Sequence, residues 1–182
     1  IMPAEFLLEV FKENILKPAI IWDDKSFTYQ LLYDKVNESI SLIDRSNIEI
    51  GSVVALQGDF TPSSISLLIA LIQSSCIIVP LTSMNHKNRQ KLLNIAQVEY
   101  LFEVDEKDKI SYEQLRGSSH LEYYEVIRSR KKPGLVLFSS GTSGEPKAAV
   151  HDLCALLKKF ETKRRSLRTI NFLLFDHWGG LN

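Results

Sequence analysis

The most informative stretch of the sequence is Leu135-Val-Leu-Phe-Ser-Ser-Gly-Thr-Ser-Gly-Glu-Pro-Lys-Ala-Ala-Val-His151. Its first four residues are apolar, which predicts a short buried strand. Six small uncharged residues follow at 139–144, and Glu145-Pro-Lys147 leads into a second small apolar run at 148–150. This pattern predicts a hairpin of two strands with a long tip rich in Gly and Ser.

The residue types at this tip suit a bound phosphate. Glycines permit positive φ and a close approach of the backbone, so several N–H groups can point at one anion. Hydroxyl groups add donors, and the lysine adds a point charge. The candidate phosphate-binding residues are Ser139, Ser140, Gly141, Thr142, Ser143, Gly144 and Lys147. The competing interpretation is an ordinary Ser/Gly turn with a solvated lysine, because loops are rich in these residues.

The stretch is not the common P-loop, whose pattern is Gly-x-x-x-x-Gly-Lys-Ser/Thr at the start of a helix. Pro146 stands in the place of the second glycine, and Ala148 stands in the place of the hydroxyl residue. A P-loop NTPase is therefore the disfavoured alternative.

The stretch resembles the phosphate loop of the adenylate-forming superfamily, which includes acyl- and aryl-CoA ligases, luciferases and the adenylation domains of peptide synthetases. The pattern of that loop is aromatic–Thr/Ser–Ser–Gly–Thr–Thr/Ser–Gly–x–Pro–Lys–Gly, and residues 138–147 match every fixed position. Ala148 departs from the pattern, which has glycine there. The resemblance implies that the loop holds the β- and γ-phosphates of ATP, which would bind together with Mg²⁺.

Three other segments resemble motifs of the same superfamily. Ser26-Phe-Thr-Tyr-Gln-Leu-Leu32 is similar to its Thr-Tyr-x-x-Leu motif, and Ile50-Gly-Ser-Val-Val-Ala55 is similar to its Gly-Asp-x-Val-Ala motif. Leu71-Ile-Gln-Ser-Ser-Cys-Ile-Ile-Val-Pro-Leu81 is similar to Leu-x-Lys-Ala-Gly-x-x-x-Val-Pro, although Gln-Ser-Ser replaces its Lys-Ala-Gly. The resemblance therefore extends over residues 4–182.

Alternating strand and helix patterns predict the rest of the fold. Helices are predicted at 4–16, 29–46, 63–74, 87–96 and 153–161, and strands at 19–22, 53–56, 76–79, 100–104 and 171–175. Charged residues at 103–109 predict a solvated loop, and 112–119 a polar segment. Apolar strands alternating with helices are typical of an α/β fold with doubly wound, mostly parallel sheets and flanking helices.

We divide the chain into an N-terminal α/β subdomain at 1–129 and a second part at 130–182. The second part holds the phosphate-loop hairpin and the start of a second α/β subdomain. Both parts would belong to one truncated AMP-binding domain, so the chain is expected to be the incomplete N-terminal part of an adenylate-forming enzyme.

Composition and patterning exclude several kinds of partner. Lys plus Arg equals Asp plus Glu at 22 each, so no net charge favours nucleic acid or an acidic membrane. The apolar run at 65–81 contains Gln73-Ser-Ser75 and falls short of the ~20 residues that a membrane span needs. It predicts a buried helix followed by a buried strand. Two cysteines without metal-ligand spacing and a start without a basic signal region predict a cytoplasmic protein without a structural metal.

A second candidate site lies in Leu173-Leu-Phe-Asp-His-Trp-Gly-Gly-Leu181, after the last predicted strand. Sheets of the α/β class place ligand contacts at such strand ends. We take Asp176, His177 and Gly179 as candidate residues of a substrate pocket. If the strand geometry persists, the first two side chains point to opposite sides of the sheet.

The superfamily resemblance gives this tail two interpretations. CoA ligases often have Phe-His-x-Gly-Gly, which residues 177–180 match apart from the phenylalanine. Amino-acid adenylation domains have Phe-Asp-x-Ser, whose aspartate meets the substrate ammonium; Phe175-Asp176 matches this half, but Trp178 is not serine. We favour the first interpretation, with His177 facing the acid. A polar strand end beside a Gly-Gly turn is the structural alternative.

The resemblance implies an ATP-dependent ligase of the acyl- or aryl-CoA ligase type. It would convert a carboxylic acid to an acyl-AMP and then pass the acyl group to a thiol of CoA or of a carrier protein. The alternatives are an amino-acid adenylation domain and a non-catalytic nucleotide- or acyl-binding protein on the same fold. The magnesium-binding glutamate, ribose-binding aspartate and catalytic lysine of the family have no match here. The catalytic residues therefore stay unassigned, and the chain alone is expected to be inactive.

Overall fold

The computed structural model describes residues 3–140, 144–162, 169–171 and 173–181. Its helices are α1 (Glu5–Glu13), α2 (Tyr29–Arg45), α3 (Pro62–Gln73), α4 (His86–Ile95), α5 (Glu122–Ser129), α6 (Leu153–Leu157) and α7 (Trp178–Leu181), with a 3₁₀ turn at Lys158–Phe160. Its strands are β1 (Pro18–Trp22), β2 (Lys25–Thr28), β3 (Val53–Gln57), β4 (Ile77–Leu81), β5 (Tyr100–Val104), β6 (Ile110–Gln114), β7 (Gly134–Ser140) and β8 (Pro146–Asp152).

Six of these strands form one sheet in the order β6-β5-β3-β4-β7-β8. The four inner strands are parallel, and each outer strand runs antiparallel to its neighbour. Strands β1 and β2 form a separate antiparallel pair. The predicted α/β fold with a mostly parallel sheet and flanking helices is confirmed.

Helices cover both faces of the sheet, because alternate residues of a strand point to opposite sides. One face packs against α1, α2 and α3, in a cluster that includes Leu32, Val36, Val54, Leu56, Leu67, Leu71, Ile78 and Phe102. The other packs against α4 and α5, in a cluster that includes Val53, Ala55, Ile77, Val79, Leu93, Leu101, Tyr124 and Ile127. The connections β3–α3–β4 and β4–α4–β5 therefore lie on opposite faces. They leave a switch point at the carboxyl ends of β3 and β4, where α/β sheets bind ligands.

The predicted helix starts form as expected. Thr28 accepts a hydrogen bond from the Leu31 N–H at 3.3 Å and caps α2. Thr61 accepts one from the Ser64 N–H at 3.2 Å, and Pro62 occupies the first turn of α3, where its missing N–H costs nothing. The apolar run at 65–81 is the buried part of α3 followed by β4. No helix among the described residues is long and apolar enough to cross a membrane.

Pro80 lies just beyond the point where β7 stops pairing with β4. Ile77 donates its N–H to Ser52 and Leu81 accepts from Gly58, so the odd residues of β4 bond to β3 and the even residues face β7. Strand β7 pairs only with Ile77 and Ile78 and has separated before Pro80. The absent N–H of Pro80 therefore leaves no ladder bond unmade. Beyond Ile78 the hairpin β7–β8 no longer pairs with β4.

Two boundaries differ from the prediction. Residues 110–114, which follow the predicted loop at 103–109 and overlap the start of the polar segment at 112–119, form the edge strand β6, and the ring of Tyr112 stacks on that of Phe102 at 5.4 Å. The strand is mostly exposed, so its residues lack the apolar alternation on which the prediction relied. The helix predicted at 153–161 ends at Leu157 and tightens into the 3₁₀ turn. The basic run at 163–165 lies outside the described residues.

The segment 171–175 is not a strand, which corrects the prediction. None of its described residues, Asn171 and 173–175, pairs with another strand. The Leu173 N–H bonds instead to the Asn171 side chain at 3.1 Å, and the His177 N–H bonds to the Leu174 carbonyl at 3.3 Å. These local hydrogen bonds favour a turn over a strand, and α7 follows directly. The predicted division at 129/130 falls between α5 and β7 and stays a prediction.

Candidate functional site

The hairpin β7–β8 positions the predicted phosphate loop. Ser139 lies opposite Lys147 in the register, and Ser140 lies opposite Pro146. Ser139, Ser140, Gly144 and Lys147 are all exposed. Cross-strand partners share a face of the sheet, so the Ser139 hydroxyl and the Lys147 ammonium group lie on the same side of the hairpin. Gly141, Thr142 and Ser143 lie outside the described residues.

Lys147 has no charged partner in the part of the chain that the structure describes. Leu135 and Leu137 pack in the same core cluster as Phe175, which places Ser139 and Lys147 on the side of the sheet where the tail lies. An anion bound at the hairpin tip would therefore lie near the Lys147 ammonium group, on the same face of the sheet as the candidate substrate residues of the tail.

A backbone conformation and an ion pair define the end of the loop. Gly144 has a φ of +77°, a conformation that favours glycine, and no atom lies within 4 Å of where a Cβ would stand. The carboxylate of Glu145 forms an ion pair with Lys91 of α4. Both partners are largely exposed, so this pair contributes little to stability, but it ties the loop to the helix on the opposite face.

The tail is held against the carboxyl edge by Phe175. This side chain is fully buried, and its ring meets that of Phe60 edge-on at 5.1 Å. Phe60 lies in the connection from β3 to α3, directly outside the carboxyl end of β3. The tail therefore sits at the switch point of the sheet, as expected for a ligand-contacting segment.

Asp176 and His177 do not lie on opposite sides of a strand, because they belong to the turn before α7. Thr82, the first residue after β4, donates a hydrogen bond to Asp176 Oδ2 at 3.2 Å. Asp176 Oδ1 is buried and has no hydrogen-bond partner among the described residues. His177 is 66% exposed and its Nε2 lies 3.8 Å from Oδ1, whereas Asp176 is 24% exposed. The aspartate therefore faces inward and the histidine faces outward.

The third predicted pocket residue, Gly179, is an exposed residue of α7. A Cβ at this position would meet the side chain of Leu173 at 3.2 Å, so it has little room on that side. Thr82 and Phe60 were not predicted as site residues. The only signal for Thr82 was a polar residue directly after a buried strand. Among the described residues, no group of three or more His, Cys, Asp or Glu side chains could hold a metal ion.

The chain belongs to the AMP-binding enzyme family, whose model matches residues 9–175. This confirms the resemblance of the phosphate loop to the adenylate-forming superfamily. The chain is 26% identical over 139 residues to the hybrid PKS-NRPS synthetase xenE of Xenoacremonium sinensis, a match that covers 69% of this chain and 4% of that protein.

Solved structures share the fold. The N-terminal subdomain of Klebsiella oxytoca NpsA in complex with 3-hydroxyanthranilyl-AMSN superposes with a TM-score of 0.61 at 19% identity, covering 81% of this chain and 39% of that one. The artificially fused adenylation–PCP di-domain NpsA-ThdA of the same organism gives a TM-score of 0.63 at 19% identity, covering 82% and 32%. The chain thus shares its fold with these two structures and spans 39% and 32% of their chains.

Proposed function

We propose that the protein containing this chain activates a carboxylic acid with ATP. The acid's carboxylate attacks the α-phosphate, the bond to the β-phosphate breaks, and pyrophosphate leaves from the resulting acyl-AMP. A thiol of CoA or of a carrier protein then attacks the acyl carbon and AMP leaves. The observation that carries this proposal is the exposed hairpin tip, where the hydroxyl of Ser139 and the ammonium of Lys147, which has no ion-pair partner among the described residues, share one face of the hairpin.

The part of this chain in the reaction would be electrostatic. Hydroxyl and backbone N–H donors of 139–144, together with Lys147, would hold the β- and γ-phosphates and offset the charge that develops on the departing pyrophosphate. The exposed donors and the open space at Gly144 fit such a ligand. Mg²⁺ would arrive with the nucleotide, because the described residues offer no cluster of ligands for it.

The identity of the acid has two candidates, and the geometry favours the second. In the acyl or aryl interpretation His177 faces the substrate, but this side chain points outward and is mostly exposed. In the amino-acid interpretation Asp176 meets a substrate ammonium. Its Oδ1 is buried and has no hydrogen-bond donor among the residues that the structure describes, which is costly unless a cation or donor binds there. We therefore propose an acid that carries a protonated amine.

The acceptor would then be the thiol of a carrier protein, with CoA as the alternative. Similarity to a hybrid PKS-NRPS synthetase and to an adenylation–PCP di-domain supports this choice. Cys76 and Cys154 are both free, which supports a cytoplasmic location. A non-catalytic binding protein on this fold is the remaining alternative, and turnover by the full-length protein would exclude it.

Substrate-dependent ATP–pyrophosphate exchange by the full-length protein tests the choice of acid. We expect α-amino acids to drive exchange and the same acids without the amine to drive it at least tenfold more slowly, because only the former place a cation at Asp176. Asp176→Asn should lower the rate with amino acids by a similar factor, and the matched neighbour variant His177→Ala should leave it nearly unchanged. Faster exchange with amine-free acids, lowered by His177→Ala alone, would restore the acyl interpretation.

The 182-residue chain alone is expected to give no exchange above background. It carries the phosphate loop, but the ribose-binding aspartate and the catalytic lysine of the family have no match in it. Exchange by the purified chain, measured beside the full-length protein at equal concentration, would show that the assignment of these roles to the rest of the protein is wrong.

A further inference from the structure

We infer that Thr82 is a positioning residue that aims one oxygen of the Asp176 carboxylate at the protonated amine of the substrate. This inference rests on the proposed activation of an amine-bearing acid. It adds a residue from a distant part of the chain, at the end of β4, to the substrate site in the tail.

The hydrogen bond between the two residues fixes the carboxylate. The Thr82 hydroxyl donates to Asp176 Oδ2 at 3.2 Å, which leaves Oδ1 as the oxygen without a donor. A carboxylate rotates freely about its terminal bond unless one oxygen is held. The threonine therefore decides which oxygen remains for a ligand and in which direction it points.

The backbone around the aspartate is held by other contacts. Phe175 is fully buried against Phe60, and the His177 N–H bonds to the Leu174 carbonyl. Removing the hydroxyl of Thr82 leaves these contacts in place. The expected consequence is a carboxylate that turns more freely on an unchanged backbone, rather than a displaced tail.

The position of Thr82 also explains why the pair lies at the site. Thr82 directly follows Leu81, which pairs with Gln57 at the end of β3. Strand β7 no longer pairs with β4 at this level, and the Thr82–Asp176 pair lies at the carboxyl end of β4. His177 Nε2 lies 3.8 Å from the same oxygen, which is beyond hydrogen-bond distance.

The experiment compares two substrates in the full-length protein: the amino acid that wild type activates fastest, and the same acid without its amine. The measured quantity is the ratio of their kcat/KM values in ATP–pyrophosphate exchange. Thr82→Val, which replaces the hydroxyl with a methyl group, should lower this ratio about tenfold, mainly through the KM of the amino acid. Thr82→Ser keeps the hydroxyl and should restore the ratio to within about twofold of wild type.

Each outcome decides the inference. A purely structural role would lower both kcat/KM values together and leave the ratio unchanged, which would overturn the role of Thr82 while the proposed function stands. A wild-type protein that prefers amine-free acids would overturn the inference and the amino-acid proposal together, while exchange itself would still support adenylation. If Thr82→Val does not fold, as judged by its thermal transition, Thr82→Ala takes its place with the same expected ratio.

Discussion

Replacing Lys147 with alanine is expected to slow carboxylate-dependent ATP–pyrophosphate exchange in the full-length protein by about 100-fold. The ammonium group is exposed and lies on the face of the sheet against which the tail packs. It has no ion-pair partner among the described residues, so its charge can bind the β- and γ-phosphates of ATP. The free energy of unfolding should change by no more than about 0.5 kcal/mol, because an exposed side chain without partners contributes little to folding.

Lys25→Ala is the matched control for this prediction. Lys25 is likewise an exposed lysine at the edge of a strand, but it belongs to the separate β1–β2 pair. Its replacement should leave the exchange rate unchanged. An unaltered rate for Lys147→Ala, or equal losses for the two variants, would contradict the phosphate-binding role.

The central part of the fold could be predicted from the sequence because its signals are local and redundant. Two apolar runs, Val53 to Leu56 and Ile77 to Val79, show no alternation with polar residues. This pattern is typical of strands that are buried on both faces of a sheet. Helices α2 and α3 begin at or within one residue of the predicted positions 29 and 63, and the side chains of Thr28 and Thr61 cap them. Each of these elements has its own local sequence pattern, so its type and approximate bounds could be predicted without knowledge of the tertiary contacts.

The elements that were missed depend on tertiary contacts. Strand β6 is exposed on most of its residues and forms because its backbone pairs with β5. The tail has an apolar run typical of a strand, but its described backbone forms a turn, and its buried residue Phe175 packs against a ring more than 100 positions earlier. Propensity and periodicity describe neighbours in sequence, so they could predict neither strand β6 nor the turn in the tail.

The candidate site divides in the same way. The phosphate loop is a prediction from the order of Gly, Ser, Thr, Pro and Lys, since one short segment supplies all its donors. The substrate residues Asp176, His177 and Gly179 also stay a prediction, but the expected opposition of Asp176 and His177 depended on a strand that the described residues of the tail do not form. Thr82 could not be found from sequence, since its partner is 94 positions away.

The edge of the sheet opposite the site carries a buried ion pair that binds three loops together. Glu99 is 4% exposed, and its carboxylate accepts hydrogen bonds from the N–H groups of Val53 and Ser119 at 3.0 and 2.7 Å. Arg128 bonds to this carboxylate at 3.1 Å and also donates to the carbonyls of Gly51 and Ser119. Burial, and after it the charge of Glu99, raises the pKa of the nearby Cys76 thiol to about 12.

Replacing Arg128 with methionine is expected to lower the free energy of unfolding by roughly 3–5 kcal/mol, because it leaves the charge of Glu99 buried without its cation. Denaturant unfolding of the protein measures this loss. Arg130→Met is the matched control, two positions further along and 55% exposed in its pair with Asp152, and should cost less than about 1 kcal/mol. Adding Glu99→Gln to Arg128→Met should recover part of the loss, since the amide removes the uncompensated charge, although its single oxygen can accept from only one of the two backbone donors. If the double variant is as unstable as the sum of the single ones, the loss comes from packing of the arginine stem and not from the buried charge.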